Sequence, residues 1–584
     1  MSKKRRYGDI NLDHSKEDTN DNRKRHAITD SNRYTYLPFR DNHSIRLLTL
    51  FPSSDGLLLR CNLEEVGLNS SPDYEAISYV WGDNDMPASI ICDSSGKEIS
   101  ITRNLEAVLI RFRQSTQPRR LWVDGICMNQ QDLGERSQQV KLMGRIYREA
   151  SKVLIWLGDE DQDTELAWSC IRLIRQEQEL PTSQACEALK KIFSRDWFHR
   201  AWTYQESLLA TRAELFCGHH QIRREHLASI FLLALEPKYD GVADFKFLRG
   251  EQIGILMSLL QIGQPGTLDL GGLPFFPSYL LQLLLLRRGK LSSDPRDLCY
   301  SLLGVAADGH NIQPNYSQPV DDVYIAIARY FLNNKRGLCL LGLVECTRPS
   351  LLPTWVPDWR VRDDAVKPFT NLDTQTYYAT GKAIFRKRTT NDSRKLLLQG
   401  VTVDTIVTLE NPTVSSLKDS FVETGRVYEY TDQGMGEAFT RTLVADINPS
   451  RYSTGADRWT AEDFVKQSSN EDGIPAFWTK MYEQTSNRSF LRTKDRRIGL
   501  APLTAREGDL VCLVLGAEVP FVLRRSNDEY ELVGECYVHG LMDEEGLVEA
   551  ARNTNPEFDY GMLPRLYEWD EDPPLFKVEE FVLK

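Results

Sequence analysis

Three short stretches place polar and aromatic side chains where a parallel sheet would expose them. Residues 74–82 form a β-branched and aromatic run closed by glycine, which puts Ser78, Trp81 and Gly82 at the end of a strand. A glycine there lets the backbone approach a phosphate, and the indole can either stack on a base or fill the core. Residues 121–124 form a second strand, with Asp124 at its carboxyl end. Ligands of open α/β sheets bind at that edge, while the alternative is a loop aspartate bonding nearby backbone amides. Asn129 and Gln130 follow in the same loop, to orient a ligand or to close a turn. Asp132-Leu133-Gly134-Glu135 has capping-box spacing, with Asp132 as N-cap and Glu135 at N3. Glu206 falls in a helical pattern whose apolar face is Trp197, Ala201, Tyr204 and Leu208. It reads as a second acid at the sheet edge or as a salt bridge with a nearby arginine.

Other chemistries are excluded by what is missing. There is no GxxxxGK[ST] loop and no GxGxxG, which argues against a nucleoside triphosphatase and a dehydrogenase. There is no GxSxG elbow, and the nine histidines are too scattered to nominate a base. Cys217-Gly218-His219-His220 lacks a second ligand pair at zinc spacing, so no metal is expected there, only a β-turn. Eleven cysteines without a CxxC pair read as reduced thiols inside a cell. The chain has 584 residues, net charge −12, 41% apolar and 26% charged residues, an ordinary composition for a soluble globular protein. Its longest apolar run, residues 279–286, is well short of the roughly twenty residues a membrane helix needs, and no signal peptide is expected. The acidic balance argues against generic nucleic-acid binding.

The elements that must position these residues are legible in outline. Residues 1–42 are a polar, basic tail by composition, with runs at residues 3–6 and 23–25 that could also serve as a nuclear signal. Strands are expected at residues 45–48, 57–60 and 153–158, and a hairpin at residues 90–101. Asn104 is expected to cap a helix whose apolar face is Leu105, Val108, Leu109 and Phe112. Alternating strands and helices predict a parallel α/β sheet over residues 43–210. Residues 211–370 read as mostly helical, with a Gly/Pro-rich break at 263–277. Residues 371–584 read as β-rich, a small sheet or barrel marked by strands at 396–403, 510–516, 521–524 and 530–538.

The motifs together resemble the fungal heterokaryon-incompatibility (HET) domain. Residues 76–82 (AISYVWG) look like its first signature, residues 121–130 (LWVDGICMNQ) its second, and residues 200–206 (RAWTYQE) its third. The signature core thus spans 74–206. Gly125 and Met128 stand where alanine and isoleucine are usual. Residues 294–297 (DPRD), 355–359 (WVPDW) and 520–524 also resemble HET proteins, without an established chemistry. The resemblance implies an α/β fold similar to the Toll/interleukin-1 receptor (TIR) domain. It also implies a role in non-self recognition between fungal strains (vegetative incompatibility), with programmed cell death as the outcome. Some TIR domains hydrolyse NAD with one glutamate on a helix between two central strands, a segment that contains Glu135 here. Glu135 is accordingly the catalytic candidate, with NAD as substrate and no resident cofactor, and the alternative is a non-enzymatic signalling scaffold. The implied partner is a protein of an incompatible strain or an upstream sensor, with self-association possible and a cytoplasmic or nuclear location.

Overall fold

The computed structural model describes residues 32–53, 58–83, 85–175, 182–227, 279–334, 336–344, 351–361, 368–370, 375–385, 390–411, 427–447, 474–559, 562 and 575–584. Most of the basic tail and the Gly/Pro-rich break lie outside them. Residues 32–42 are described and packed. Tyr34 N–H donates to the Glu98 carbonyl at 2.8 Å, and Tyr36 Oη donates to the Ile126 carbonyl at 2.8 Å. The polar composition of this stretch hides two aromatics, Tyr34 and Tyr36, that are half-buried.

The first sheet has nine strands: β1 (Ser44–Leu50), β2 (Arg60–Gly67), β3 (Glu75–Ser78), β4 (Ala88–Cys92), β5 (Lys97–Ile101), β6 (Arg119–Trp122), β7 (Lys152–Trp156), β8 (Ala213–Cys217) and β9 (His220–Arg223). Their spatial order is β5-β4-β2-β1-β6-β3-β7-β8-β9. The centre, β6-β3-β7-β8, is parallel, and antiparallel β1–β2, β1–β6, β4–β5 and β8–β9 pairs flank it. The expected parallel sheet is therefore the centre of a mixed one. Hydrophobic runs such as residues 153–157 mark the doubly covered central strands, but the direction of the shorter edge strands leaves no trace in periodicity. The sheet also continues to Arg223, past residue 210.

Helix α1 (Arg103–Phe112) buries Leu105, Val108, Leu109 and Phe112 on one stripe, each worth roughly 1.5–3 kcal/mol of burial. Its N-cap is Thr102, whose extended backbone lets Oγ1 accept the Leu105 N–H at 3.2 Å. Asn104, expected as the cap, instead sits in the first turn and donates Nδ2 to the Val80 carbonyl at 3.1 Å. Helix α2 (Asp124–Cys127) follows β6, and α3 (Leu133–Glu149) crosses to β7. Helices α4 (Thr164–Arg175) and α5 (Ser183–Phe193) precede α6 (Thr203–Leu208). The single helix read through Trp197 to Leu208 is broken. A 3₁₀ turn covers Asp196–His199, Arg200 is extended, and Arg200 bridges to Leu291 before α6 begins. Helices α7 (Leu280–Leu286), α8 (Asp297–Tyr300) and α9 (Val320–Leu332) follow, α9 lying against the 3₁₀ stretch Gly337–Leu343. Gly144 of α3 meets Gly304 so closely that a Cβ on Gly144 would lie 3.1 Å from the Gly304 Cα.

The C-terminal strands are β10 (Leu396–Glu410), β11 (Arg488–Thr493), β12 (Ile498–Pro502), β13 (Leu510–Val514), β14 (Phe521–Ser526), β15 (Glu529–Glu535), β16 (Tyr537–Val538) and β17 (Glu579–Leu583). Strand β10 pairs with β17, β13 and β11, and the circuit β10-β13-β14-β15-β17 closes on itself. Of the small sheet or barrel expected here the strands form a closed circuit, and residues 396–403 are only the first half of its longest strand. Irregularities after Thr402 and Ile406 bend β10 so that one strand can serve three neighbours. Gly400 is where the ladders to β17 and β13 meet, and a Cβ there would lie 2.1 Å from the Leu513 carbonyl oxygen. Gly400→Ala should therefore lower the unfolding free energy by about 1–3 kcal/mol in urea titrations. An unchanged midpoint would show that the barrel tolerates a wider β10–β13 spacing.

Candidate functional site

The carboxyl ends of β3 and β6 open into a cleft of about 880 Å³. One wall is built from the first two signatures, Val80, Trp81, Gly82, Asp124, Met128 and Gln130. Trp81 neither stacks freely nor fills the core. It is half-buried, and its Nε1 donates to Asp124 Oδ2 at 2.9 Å. The other carboxylate oxygen accepts the Gly125 N–H at 2.7 Å, and Gln130 Nε2 donates to the Asp124 carbonyl at 2.9 Å. Asp124 is thus fixed in three directions and still faces the cleft. Burial pushes its carboxyl above the usual carboxylate range, against the pull of Arg200 and the Trp81 bond. Gly82 has φ +74° and lies against Asn104, so a side chain would be strained there.

Behind this wall Ser78 and Glu206 are fully buried together. Ser78 Oγ donates to Glu206 Oε2, and Trp197 Nε1 donates to Ser78 Oγ at 2.7 Å. Glu206 takes its hydrogen bond from serine, not from the arginine expected in sequence. Burial pushes its carboxyl up to about 7, opposed by the nearby Arg200 charge and the Ser78 bond. Arg200 sits between the two acids: it lines the cleft and donates to the Tyr79 carbonyl. The extended backbone at Arg200 makes this possible, because a continuous helix would carry the side chain elsewhere.

The opposite wall comes from far along the chain. Arg136 on α3 reaches Asp294 at 3.3 Å and Asp297 at 3.2 Å, with its guanidinium 3.8 Å from the Tyr316 ring centroid. Arg296 forks onto Asp294 at 2.9 Å and also donates to the Tyr316 and Gln318 carbonyls. Burial raises the Asp297 carboxyl despite Arg136. At Asp294 burial is outweighed by Arg296 and Arg136, and its carboxyl is held below the usual range. Residues 294–297 were legible as a motif, but nothing in their order announces that they face Trp81 and Asp124.

Glu135 is not in the cleft. It is buried and paired with Arg46 of β1 through both oxygens, at 2.7 and 2.9 Å. Its Oε1 also accepts the Asn129 N–H at 2.6 Å. Asp132 caps α3 as its spacing suggests, accepting Gly134 N–H at 2.9 Å and Glu135 N–H at 3.0 Å. The reciprocal arm of the box is missing because Glu135 turns to Arg46. Asn129 closes the turn, with Oδ1 accepting the Gln131 N–H at 3.3 Å. The structure therefore brings Trp81, Gly82, Asp124 and Gln130 together at the cleft and leaves Ser78, Asn129 and Glu135 behind it. Cys217 and His220 are partners in the β8–β9 hairpin, and the His220 ring faces Glu160 and Glu165. Among the described residues, no three His, Cys, Asp or Glu side chains converge as a metal site.

A family model described as heterokaryon incompatibility protein (HET) matches residues 74–206, and one described as the Het-6 beta-barrel domain matches residues 455–557. The chain thus carries a HET domain over residues 74–206. It is 25% identical to heterokaryon incompatibility protein 6, OR allele, of Neurospora crassa, over 86% of this chain and 94% of that one. It is also 27% identical to vegetative incompatibility protein HET-E-1 of Podospora anserina, over 25% of this chain and 10% of that protein. No solved structure matches. The HET match covers β3 to α6, whereas β1 with Arg46 and the wall at residues 291–320 lie outside it.

Two outcomes test this arrangement. Arg46→Met leaves the Glu135 carboxylate buried without its partner and should cost about 3–5 kcal/mol in denaturant unfolding, with the paired change Arg46→Met/Glu135→Met recovering most of it. For Glu206 the folded form binds its proton more tightly than the unfolded chain. Its contribution is fully present below the unfolded value and falls as pH rises toward about 7. Thermal midpoints of Glu206→Gln should therefore decline less than those of the natural chain between pH 4.5 and 7.

Proposed function

We propose that this chain acts in fungal heterokaryon incompatibility, recognising non-self between strains, and that its HET domain delivers the response as programmed cell death. What carries the reading is the similarity to an incompatibility protein over nearly the whole of both chains. The trigger in this reading is a protein of an incompatible strain or an upstream sensor. It is received in the cytoplasm or nucleus, with self-association of the chain as the means of activation. Among the described residues no helix is long and apolar enough to cross a membrane.

A second reading makes the response enzymatic: a TIR-like domain that hydrolyses NAD to nicotinamide and ADP-ribose, with NAD as substrate and not as resident cofactor. The observation that favours it is the cleft at the carboxyl edge of the parallel strands, where such folds bind ligands. Cleavage of the glycosidic bond builds positive charge on the ribose, which a carboxylate at the cleft would stabilise. Asp124 is the carboxylate so placed. Glu135 holds the α2–α3 loop, whose Gln130 donates to the Asp124 carbonyl, and Arg200 lines the wall around it. The experiment is inducible expression in a fungal host alongside nicotinamide release by the purified chain. Natural chain should arrest growth and release nicotinamide, and Asp124→Asn should lower both at least tenfold. Growth arrest with no nicotinamide release, in natural chain and Asp124→Asn alike, would establish a scaffold instead. Unimpaired growth of the host and of mixed strains would remove the incompatibility reading.

A further inference from the structure

Far from the cleft, two thiols lie side by side. Cys61 on β2 and Cys92 on β4 are direct partners in the parallel ladder between those strands. Neighbouring strands run about 4.8 Å apart, and ladder partners project to the same face. That separation falls inside the window of roughly 4.4–6.8 Å between Cα atoms that a disulfide spans. Both thiols are buried, and they lie within hydrogen-bonding reach of one another.

Their surroundings are unequal. Cys92 ends β4, and its sulfur lies 3.4 Å from Ser94 Oγ in the turn to β5. The bond from Cys61 first, and then the Ser94 and Ser95 bonds, overcome burial and hold the Cys92 thiol down to about 5. The same shared bond, reinforced by burial, pushes the Cys61 thiol far up. Of the two thiols Cys92 is the more acidic, which suits it to be the sulfur oxidised first. Access is through the turn, where Ser94, Ser95 and Gly96 are exposed. β4 meets β2 through two ladder pairs, the Ile91 and Asp93 N–H bonds to the Leu59 and Cys61 carbonyls and the Arg60–Asp93 ion pair, so a disulfide there would add a covalent tie beside bonds that can open locally.

We infer that Cys61 and Cys92 form a redox modification site, at which a hydroperoxide oxidises the pair to a disulfide that ties the β4–β5 hairpin to the sheet. The Cys92 thiolate attacks the distal oxygen of hydrogen peroxide. The O–O bond breaks, hydroxide leaves and takes a proton to become water, and Cys92 becomes a sulfenic acid. The Cys61 sulfur then attacks the Cys92 sulfur and displaces the hydroxyl, which leaves as a second water with the Cys61 proton. Two thiols are oxidised and one peroxide is reduced.

The test uses the reduced full-length chain exposed to hydrogen peroxide at one to five equivalents, followed by thiol blocking, proteolysis without reductant and mass spectrometry. The expected product is a linked peptide pair containing Cys61 and Cys92, two hydrogen masses lighter, formed before the other thiols react and reversed by dithiothreitol. Cleavage in the 93–96 turn by added protease should slow at least fivefold in the oxidised chain. Cys61→Ser should leave Cys92 as a sulfenic acid that dimedone captures. Because a serine in this core can disturb folding, Cys61→Ala is run beside it with a thermal melt as the check on the fold. Absence of the linked pair in natural chain while other cysteines oxidise first would overturn the assignment. Dimedone capture on Cys61 instead of Cys92 in the natural chain would overturn the division of roles.

Discussion

The geometry of the first sheet and its cleft turns on one buried ion pair, Arg46 with Glu135. Arg46 is held by two oxygens of Glu135, by the carbonyls of Cys127 and Leu37, and by the rings of Tyr36 and Phe39 at 5.0 and 4.0 Å. A guanidinium taken out of water is stable only with its donors satisfied, and a carboxylate likewise. The pair therefore fixes four segments at once: the residues before β1, β1 itself, the end of α2 and the start of α3. The loop between α2 and α3 then has little freedom, and that loop carries Gln130 beneath Asp124. A residue far from the cleft by contact decides where the cleft's carboxylate sits.

The cleft itself is assembled from distant pieces. Trp81 and Asp124 come from the ends of neighbouring parallel strands, Arg200 from a break between two helical turns, and Arg136 from the outer face of α3. Asp294, Asp297 and Tyr316 lie about a hundred residues further on and close the other side. Tyr316 N–H donates to Ser137 Oγ at 3.1 Å, and Gly304 N–H donates to Gln205 Oε1 at 3.0 Å, so the later segment is stitched to the same two helices that support the sheet. The part of the chain matched as a HET domain contributes one wall, and the second wall belongs to the region between it and the barrel.

The barrel follows a different constraint. Closing a sheet requires strands that bend, and β10 does so through two irregularities and a glycine at the point where another backbone lies too near for a side chain. Buried Glu535 ties the barrel to residues 369–370 through backbone and hydroxyl donors, and burial raises its carboxyl to about 7. Glu206 in the first region has the same character. Both acids are held by neutral donors in dry surroundings, which is why burial outweighs the arginines near them.

Much of the local structure was legible in residues alone. The α1 stripe, the Asp132 cap, the apolar β7 and the hairpin around residues 93–97 follow from periodicity, side-chain chemistry and turn residues, all of which act within a few positions. That Trp81, Gly82, Asp124 and Gln130 would stand at the carboxyl edge of the sheet was also legible, because they follow the ends of two apolar strands. Sequence could not say that Glu135 would prefer Arg46 to its own helix end, since both partners suit a carboxylate and only the approach of β1 to α3 selects one. It could not place residues 294–297 across from Trp81, or break the helix at Arg200, because those depend on which backbones meet. Short-range rules determined the elements and the kinds of residue at their ends; the tertiary structure decided which buried charges pair and which remain at the cleft, since desolvation and hydrogen bonding are settled only when segments remote in sequence come into contact.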